Sequence, residues 1–227
     1  MEVAKGRWGV QAQELVIFDC DGVLVDSELL SAKAHKLVYE RYGVVLTDAV
    51  IASTVGMNQT DTINKIKAAT GFELPAEAIP EIRQEDWRLI RQDLQPTSGI
   101  ASVLQNLRSQ CCVASSSSPE RISLSLQITQ LDRFFAADRV FSSSMVSNGK
   151  PAPDLFLLAA AKCGIPANRC TVIEDSIYGV QAAIAAKMRV VGYVGGSHSH
   201  DAHASLLQAA GATDVIASWT EIGSTGW

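Results

Sequence analysis

The chain has 227 residues, a net charge of −5 and 47% apolar residues, which suits one large domain or a domain with an insertion, built on a full core. No basic stripe runs along it, which argues against nucleic acid as a partner. Its apolar runs fall short of the ~20 residues that span a bilayer, so no membrane partner is expected.

The N-terminal stretch MEVAKGRWGVQAQELV lacks the apolar centre of a signal peptide, so a cytoplasmic protein is expected. Leu15, Val16, Ile17 and Phe18 then form an unbroken apolar run. Such a run suits a strand buried on both faces of a parallel sheet. It ends on Asp19, and Asp21 follows. Side chains two apart on an extended chain face the same way, so both carboxylates address one site while Cys20 turns away. Gly22 permits a sharp turn. Two like charges at the end of a buried strand call for a divalent cation, which takes carboxylate and carbonyl oxygens. Strand C-termini are also where open α/β sheets bind ligands. The plainer alternative is a pair of solvated loop aspartates, one capping the next helix.

Asp26 or Ser27 can cap a helix running to about residue 42, closed by Gly43. Three helical segments follow, over 47–53, 60–70 and 76–94, the second ended by Gly71. No strand is expected among them. An all-helical block after a first strand reads as an insertion, so residues 1–26 and 96–227 are expected to form the core and 27–95 a helical cap. From Pro96 onward helices (99–109, 119–128, 153–163, 176–186, 202–210) alternate with strands (111–114, 139–141, 170–173, 189–193, 214–216). That alternation predicts a parallel sheet flanked by helices. Five cysteines, Cys20, Cys111, Cys112, Cys163 and Cys170, show no CxxC or zinc spacing and read as reduced, mostly buried thiols.

Polar groups recur where these strands end: Ser115 after CCVA, Lys150 beyond the next strand, Glu174 and Asp175 after CTVI. Parallel strands would bring them to one edge, beside Asp19 and Asp21. Each has a plainer reading alone: a serine-rich turn, a solvated lysine, a helix N-cap with favourable first-turn charge.

Together, FDCDGVLVDSE, VASSSS, GKPAPD and VIEDS, in that order, resemble the four motifs of haloacid dehalogenase-like hydrolases, over residues 15–193. The likeness is to the phosphatase and β-phosphoglucomutase branch. It implies an α/β fold with a Rossmann-like parallel-sheet core, an inserted all-helical cap domain, and Mg²⁺-dependent phosphoryl transfer through an aspartyl phosphate. By the resemblance Asp19 is the nucleophile. Asp21 is the general acid and base, and offers the metal only its backbone carbonyl. An aspartic acid that donates near neutral pH needs its pKa lifted by about three units from ~3.9, and nearby carboxylates and burial push that way. Asp175 is implied to hold Mg²⁺ with Asp19, and Glu174 directly or through water. Ser115 hydrogen-bonds the transferring phosphoryl, and Ser116 and Ser117 offer backbone N–H groups at a helix start. Lys150 pairs with Asp19 and the phosphoryl oxygens.

The expected function is a Mg²⁺-dependent phosphatase of a small phosphorylated metabolite, a sugar or polyol phosphate, in a monomer or small homo-oligomer. A cap closing over the core would exclude water, and residues 56–60, with Gly56 at their start, would set substrate choice. A sugar-phosphate mutase is the alternative. That branch implies a cap histidine and a cap arginine where this chain has Ser31 and Ser53, although His35 lies one turn on. Asp21 argues against the dehalogenase branch. Lys33 and Lys36 match the phosphonate-hydrolase lysine only by position. A non-catalytic phosphate-binding protein is the remote alternative. The loop GGSHSHDAH, with His198, His200 and His203, has no Cys or Glu partner for a metal and is expected to be solvated.

Overall fold

The computed structural model describes residues 15–54 and 57–222. Gly56 lies outside them. Six strands form one parallel sheet in the order β3-β2-β1-β4-β5-β6. They are β1 (Leu15–Phe18), β2 (Gln110–Ser115), β3 (Val140–Ser142), β4 (Cys170–Glu174), β5 (Arg189–Tyr193) and β6 (Asp214–Ile216). Chain order reverses at β1, which has β2 on one side and β4 on the other. A crevice at the carboxyl ends of strands is expected at such a reversal. Phe18, the last residue of β1, pairs with both Val113 and Ile173, so β4 runs one residue and β2 two residues past the end of β1.

β1 is central because it can be buried on both faces. Leu15, Val16 and Ile17 are fully buried and Phe18 nearly so. Their side chains alternate between two cores, as a period of two requires. Val16 and Phe18 join Val113, Ile173, Val191 and Trp219. Leu15 and Ile17 join Cys112, Ala114, Val172 and Phe156. Each such side chain contributes about 1.5–3 kcal/mol on burial.

Four helices lie between β1 and Pro96: α1 (Glu28–Arg41), α2 (Asp48–Ala52), α3 (Gln59–Thr70) and α4 (Ala78–Asp93). Their ends follow local chemistry. Thr47 accepts from Val50 N–H, Asn58 accepts from Asp61 N–H, and Gly71 takes the left-handed conformation after α3. A third apolar cluster, which includes Val38, Tyr39, Leu46, Ile66 and Ile82, draws its buried members from this segment alone. Downstream come α5 (Ile100–Asn106), α6 (Pro119–Ile128), α7 (Asp154–Cys163), α8 (Ile177–Ala185) and α9 (His203–Ala210). The helix expected over 99–109 stops at Asn106, because Leu107 turns extended to lead into β2. All five cysteines are free thiols, four of them buried. Among the described residues no helix is long and apolar enough to cross a membrane.

Candidate active site

The chain leaves β1 still tied to β4, with the Asp19 N–H donating to Ile173 O at 3.0 Å. Asp19 is 6% exposed, and Glu174 and Asp175 are 1% exposed each. Carboxylate oxygens from the three lie within 4.8 Å of one another. Lys150, from the segment before α7, meets them. Its Nζ donates to Asp19 Oδ1 at 2.6 Å, to Glu174 Oε1 at 2.6 Å and to Ala114 O at 3.1 Å. Glu174 Oε2 accepts from the Ser176 N–H and hydroxyl at 2.8 and 2.9 Å.

Two glycines make room for this crowd. A Cβ on Gly179 would stand 1.8 Å from Glu174 Oε1, and one on Gly22 would stand 1.8 Å from Asp175 Oδ2. Gly22 also has φ +74, where a side chain is strained. Burial is the main influence on Asp19 and Asp175, and it pushes both carboxyls well above their usual range. Neighbouring carboxylates add to that rise and Lys150 opposes it. Burial acts to lower Lys150, but its ion pairs with Asp19 and Glu174 win and raise it.

These residues fit a hard divalent cation. Asp175 Oδ2 is buried without a hydrogen-bond partner, and the whole cluster offers oxygen donors, as Mg²⁺ prefers. Asp19 and Asp175 would hold it. Glu174 already accepts three hydrogen bonds, which suits contact through water.

Asp21 belongs to a different network. It accepts from Ser27 Oγ at 2.6 Å, Ser117 Oγ at 2.7 Å and Ser115 Oγ at 3.2 Å, and pairs with Arg121 Nη1. Arg121 Nε in turn donates to Asp86 Oδ2 of α4 at 2.8 Å. The expected upward shift of Asp21 is therefore corrected. Burial does push it up, but the guanidinium and the hydroxyls outweigh burial and hold it at about 2. Arg121 escaped the sequence reading, although it left a signal. A cation in the first turn of a helix opposes the helix dipole and needs carboxylate partners. Glu28 was missed as well. Burial, then the charges of Asp175 and Asp21, raise it to about 8.

The serine loop differs in part from expectation. Ser117 N–H donates to Ser115 Oγ at 3.0 Å and so turns inward. Ser116 O accepts from Ser143 Oγ at 2.8 Å. Ser118, rather than either, caps α6. The histidine loop is not solvated throughout. His200 is exposed, but His203 is 7% exposed and reaches Asp175. The His198 side chain is 5% exposed and lies beside Asp175 as well. Gly196 lets this loop fold inward, since a Cβ there would meet the His198 ring at 2.8 Å.

Asp19, Asp21, Ser115, Ser116, Ser117, Lys150, Glu174 and Asp175 all line one cavity of about 710 Å³. The four helices after β1 line it too, through residues such as Ser31, His35, Thr62, Asp86 and Trp87. The structure thus gathers every described residue that the sequence singled out for the site.

The haloacid dehalogenase-like hydrolase family matches residues 16–193. The 6-phosphogluconate phosphatase of Escherichia coli (strain K12) is 28% identical, over 82% of this chain and 85% of its own length. The phosphorylated carbohydrates phosphatase of Thermotoga maritima is 30% identical, over 86% of this chain and 91% of its own. A solved structure of a conserved haloacid dehalogenase-like protein from Agrobacterium tumefaciens matches with a TM-score of 0.80 at 32% identity, covering 90% of this chain and 93% of that one. Sequence match and shared architecture agree across most of the chain, which belongs to the haloacid dehalogenase-like hydrolase family.

Proposed function

We propose that the protein is a Mg²⁺-dependent phosphatase of a small phosphorylated metabolite, a sugar or polyol phosphate. One observation carries the reading. Asp19, held by buried Lys150 at 2.6 Å, shares a cluster of three carboxylates at a cavity of about 710 Å³. That volume suits a metabolite. The names of the two phosphatase relatives support the substrate class.

A divalent ion bound at Asp19 and Asp175 would offset the charge of the phosphoryl group and orient it. The protein's own residues account for the rest. An Asp19 oxygen attacks phosphorus in line, the bond to the leaving oxygen breaks, and an aspartyl phosphate forms. Lys150 offsets negative charge at the attacked centre, and Ser115 positions a phosphoryl oxygen. Asp21, ionised in this arrangement, takes a proton from the water that opens the intermediate. To give a proton to the leaving group it must first lose its contact with Arg121 and take up a proton from solvent. Residues 27–95 act as a cap over a core of 1–26 and 96–227, and the cap closes to exclude water. Arg121 and Asp86 form a contact across that boundary.

The test is phosphate release from p-nitrophenyl phosphate and a panel of sugar and polyol phosphates, with Mg²⁺ and after thorough chelation. Release is expected only with metal, and Asp19→Asn is expected to abolish it along with the acid-stable phosphoenzyme. Turnover that survives metal removal sinks the reading. An isomerised sugar phosphate without inorganic phosphate would make the protein a mutase instead.

A further inference from the structure

The stretch from the end of β5 to the first residue of α9 takes no part in that chemistry, yet two of its histidines, His198 and His203, close on Asp175. His203 Nε2 lies 2.6 Å from the Asp175 carbonyl oxygen, and its Nδ1 lies 3.0 Å from Ser199 Oγ. A carbonyl only accepts, so His203 donates through Nε2 and can accept from the serine at Nδ1. His198 Nε2 lies 3.0 Å from Asp175 Oδ2, with both side chains almost wholly buried. The two atoms are close without the alignment of a hydrogen bond, and neither has a hydrogen-bond partner among the described residues. The ring has little freedom to leave. A Cβ on Gly196 would stand 2.8 Å from its Cε1 and Nδ1, one on Gly22 would stand 3.0 Å from its Cε1, and the His203 ring packs against it at 5.3 Å.

His198 is not placed to be a ligand beside the three carboxylates. The convergent group of Asp19, Glu174 and Asp175 includes no histidine. Its contact is with one member of that group, at the oxygen nothing else holds.

We propose that His198 is a positioning residue, whose Nε2–H steadies the Asp175 carboxylate in the orientation that receives a divalent cation, while His203 fixes the backbone of the same residue. The inference rests on the metal site of the proposed function. Groups that orient a metal ligand from outside the coordination sphere set affinity, and losing one weakens binding by about 10–100-fold.

The experiment is calorimetric titration of Mg²⁺ into the full chain, comparing wild type, His198→Leu and His198→Gln. Leucine fills the space without a donor. The glutamine amide can reach where Nε2 stands. His198→Leu is expected to raise Kd about 10–100-fold, and His198→Gln to stay close to wild type, with alike thermal unfolding of all three in chelator. Should the leucine variant not fold, His198→Asn replaces it, since its shorter amide falls short of Asp175 and is expected to weaken binding likewise. Wild-type affinity in the donor-less variant overturns the proposal. So does equal weakening by leucine and glutamine, because packing alone then explains the ring. A wild-type chain that takes up neither Mg²⁺ nor Mn²⁺ is a separate outcome, which removes the metal site itself.

Discussion

Replacing Arg121 with leucine strips the guanidinium from both Asp21 and Asp86. The three side chains are 14%, 12% and 10% exposed. Removing one partner from a buried ion pair costs about 3–5 kcal/mol, because the remaining charge stays buried without compensation. Part of that cost depends on pH. The folded protein holds Asp21 at about 2 against an ordinary 3.8, a difference worth ~2 kcal/mol at ~1.36 kcal/mol per pH unit. A depressed carboxyl stabilises fully above its unfolded value, and the stabilisation fades as pH falls through the folded value. Urea unfolding at pH 7 should therefore show Arg121→Leu less stable than wild type by about 3–5 kcal/mol. At pH 3 the gap should narrow by about 1 kcal/mol. Equal midpoints at pH 7 would refute the buried network. A gap that stays constant down to pH 3 would refute its electrostatic origin.

Glu28→Gln tests the opposite sign. Its carboxyl, raised from 4.5 to about 8, favours the fold below 4.5, and that advantage is lost as pH rises towards 8. In chelator the glutamine variant should gain on wild type between pH 5 and pH 8 by about 2–4 kcal/mol, after allowance for partial exposure; a difference independent of pH would refute it. Gly22→Ala drives a Cβ to 1.8 Å from Asp175 Oδ2, and displacing that carboxylate should lower kcat on the order of 10²-fold. Wild-type kcat in that variant would show that Asp175 does not need its observed place. Lys150→Met leaves Asp19 and Glu174 without their shared cation. Its phosphatase rate should drop on the order of 10²–10³-fold, while a variant retaining wild-type rate would remove Lys150 from the chemistry.

The strands were legible because burial on both faces of a parallel sheet leaves unbroken apolar runs, such as LVIF of β1 and CTVI of β4. Helix ends were legible where a left-handed glycine marks them, as at Gly43 and Gly71. Asp19, Lys150 and Asp175 could be placed together because parallel strands align their ends. Contacts between distant side chains left weaker traces. Arg121 meets Asp86 from 35 residues away, and His203 meets Asp175 from 28 away; no local period relates either pair. The shift of Asp21 was misjudged for that reason. Nearby carboxylates were visible in the sequence, whereas the guanidinium and hydroxyls that outweigh burial come largely from residues far along the chain.

The cluster at the end of β1 also explains why so much ionisable chemistry is buried. Three carboxylates meet one ammonium, so full ionisation leaves two negative charges uncompensated in a medium where charge is costly. The fold can relieve this by keeping protons on Asp19 and Asp175, the direction in which burial already pushes both. A protonated Asp19 is a poor nucleophile, however, and an uncompensated acidic edge repels a phosphate dianion. In the proposed function a divalent cation would resolve both difficulties together. Ser176 holds one Glu174 oxygen and Lys150 the other, so this carboxylate keeps the lysine beside Asp19. The bareness of Gly179 lets Glu174 come close enough to do so.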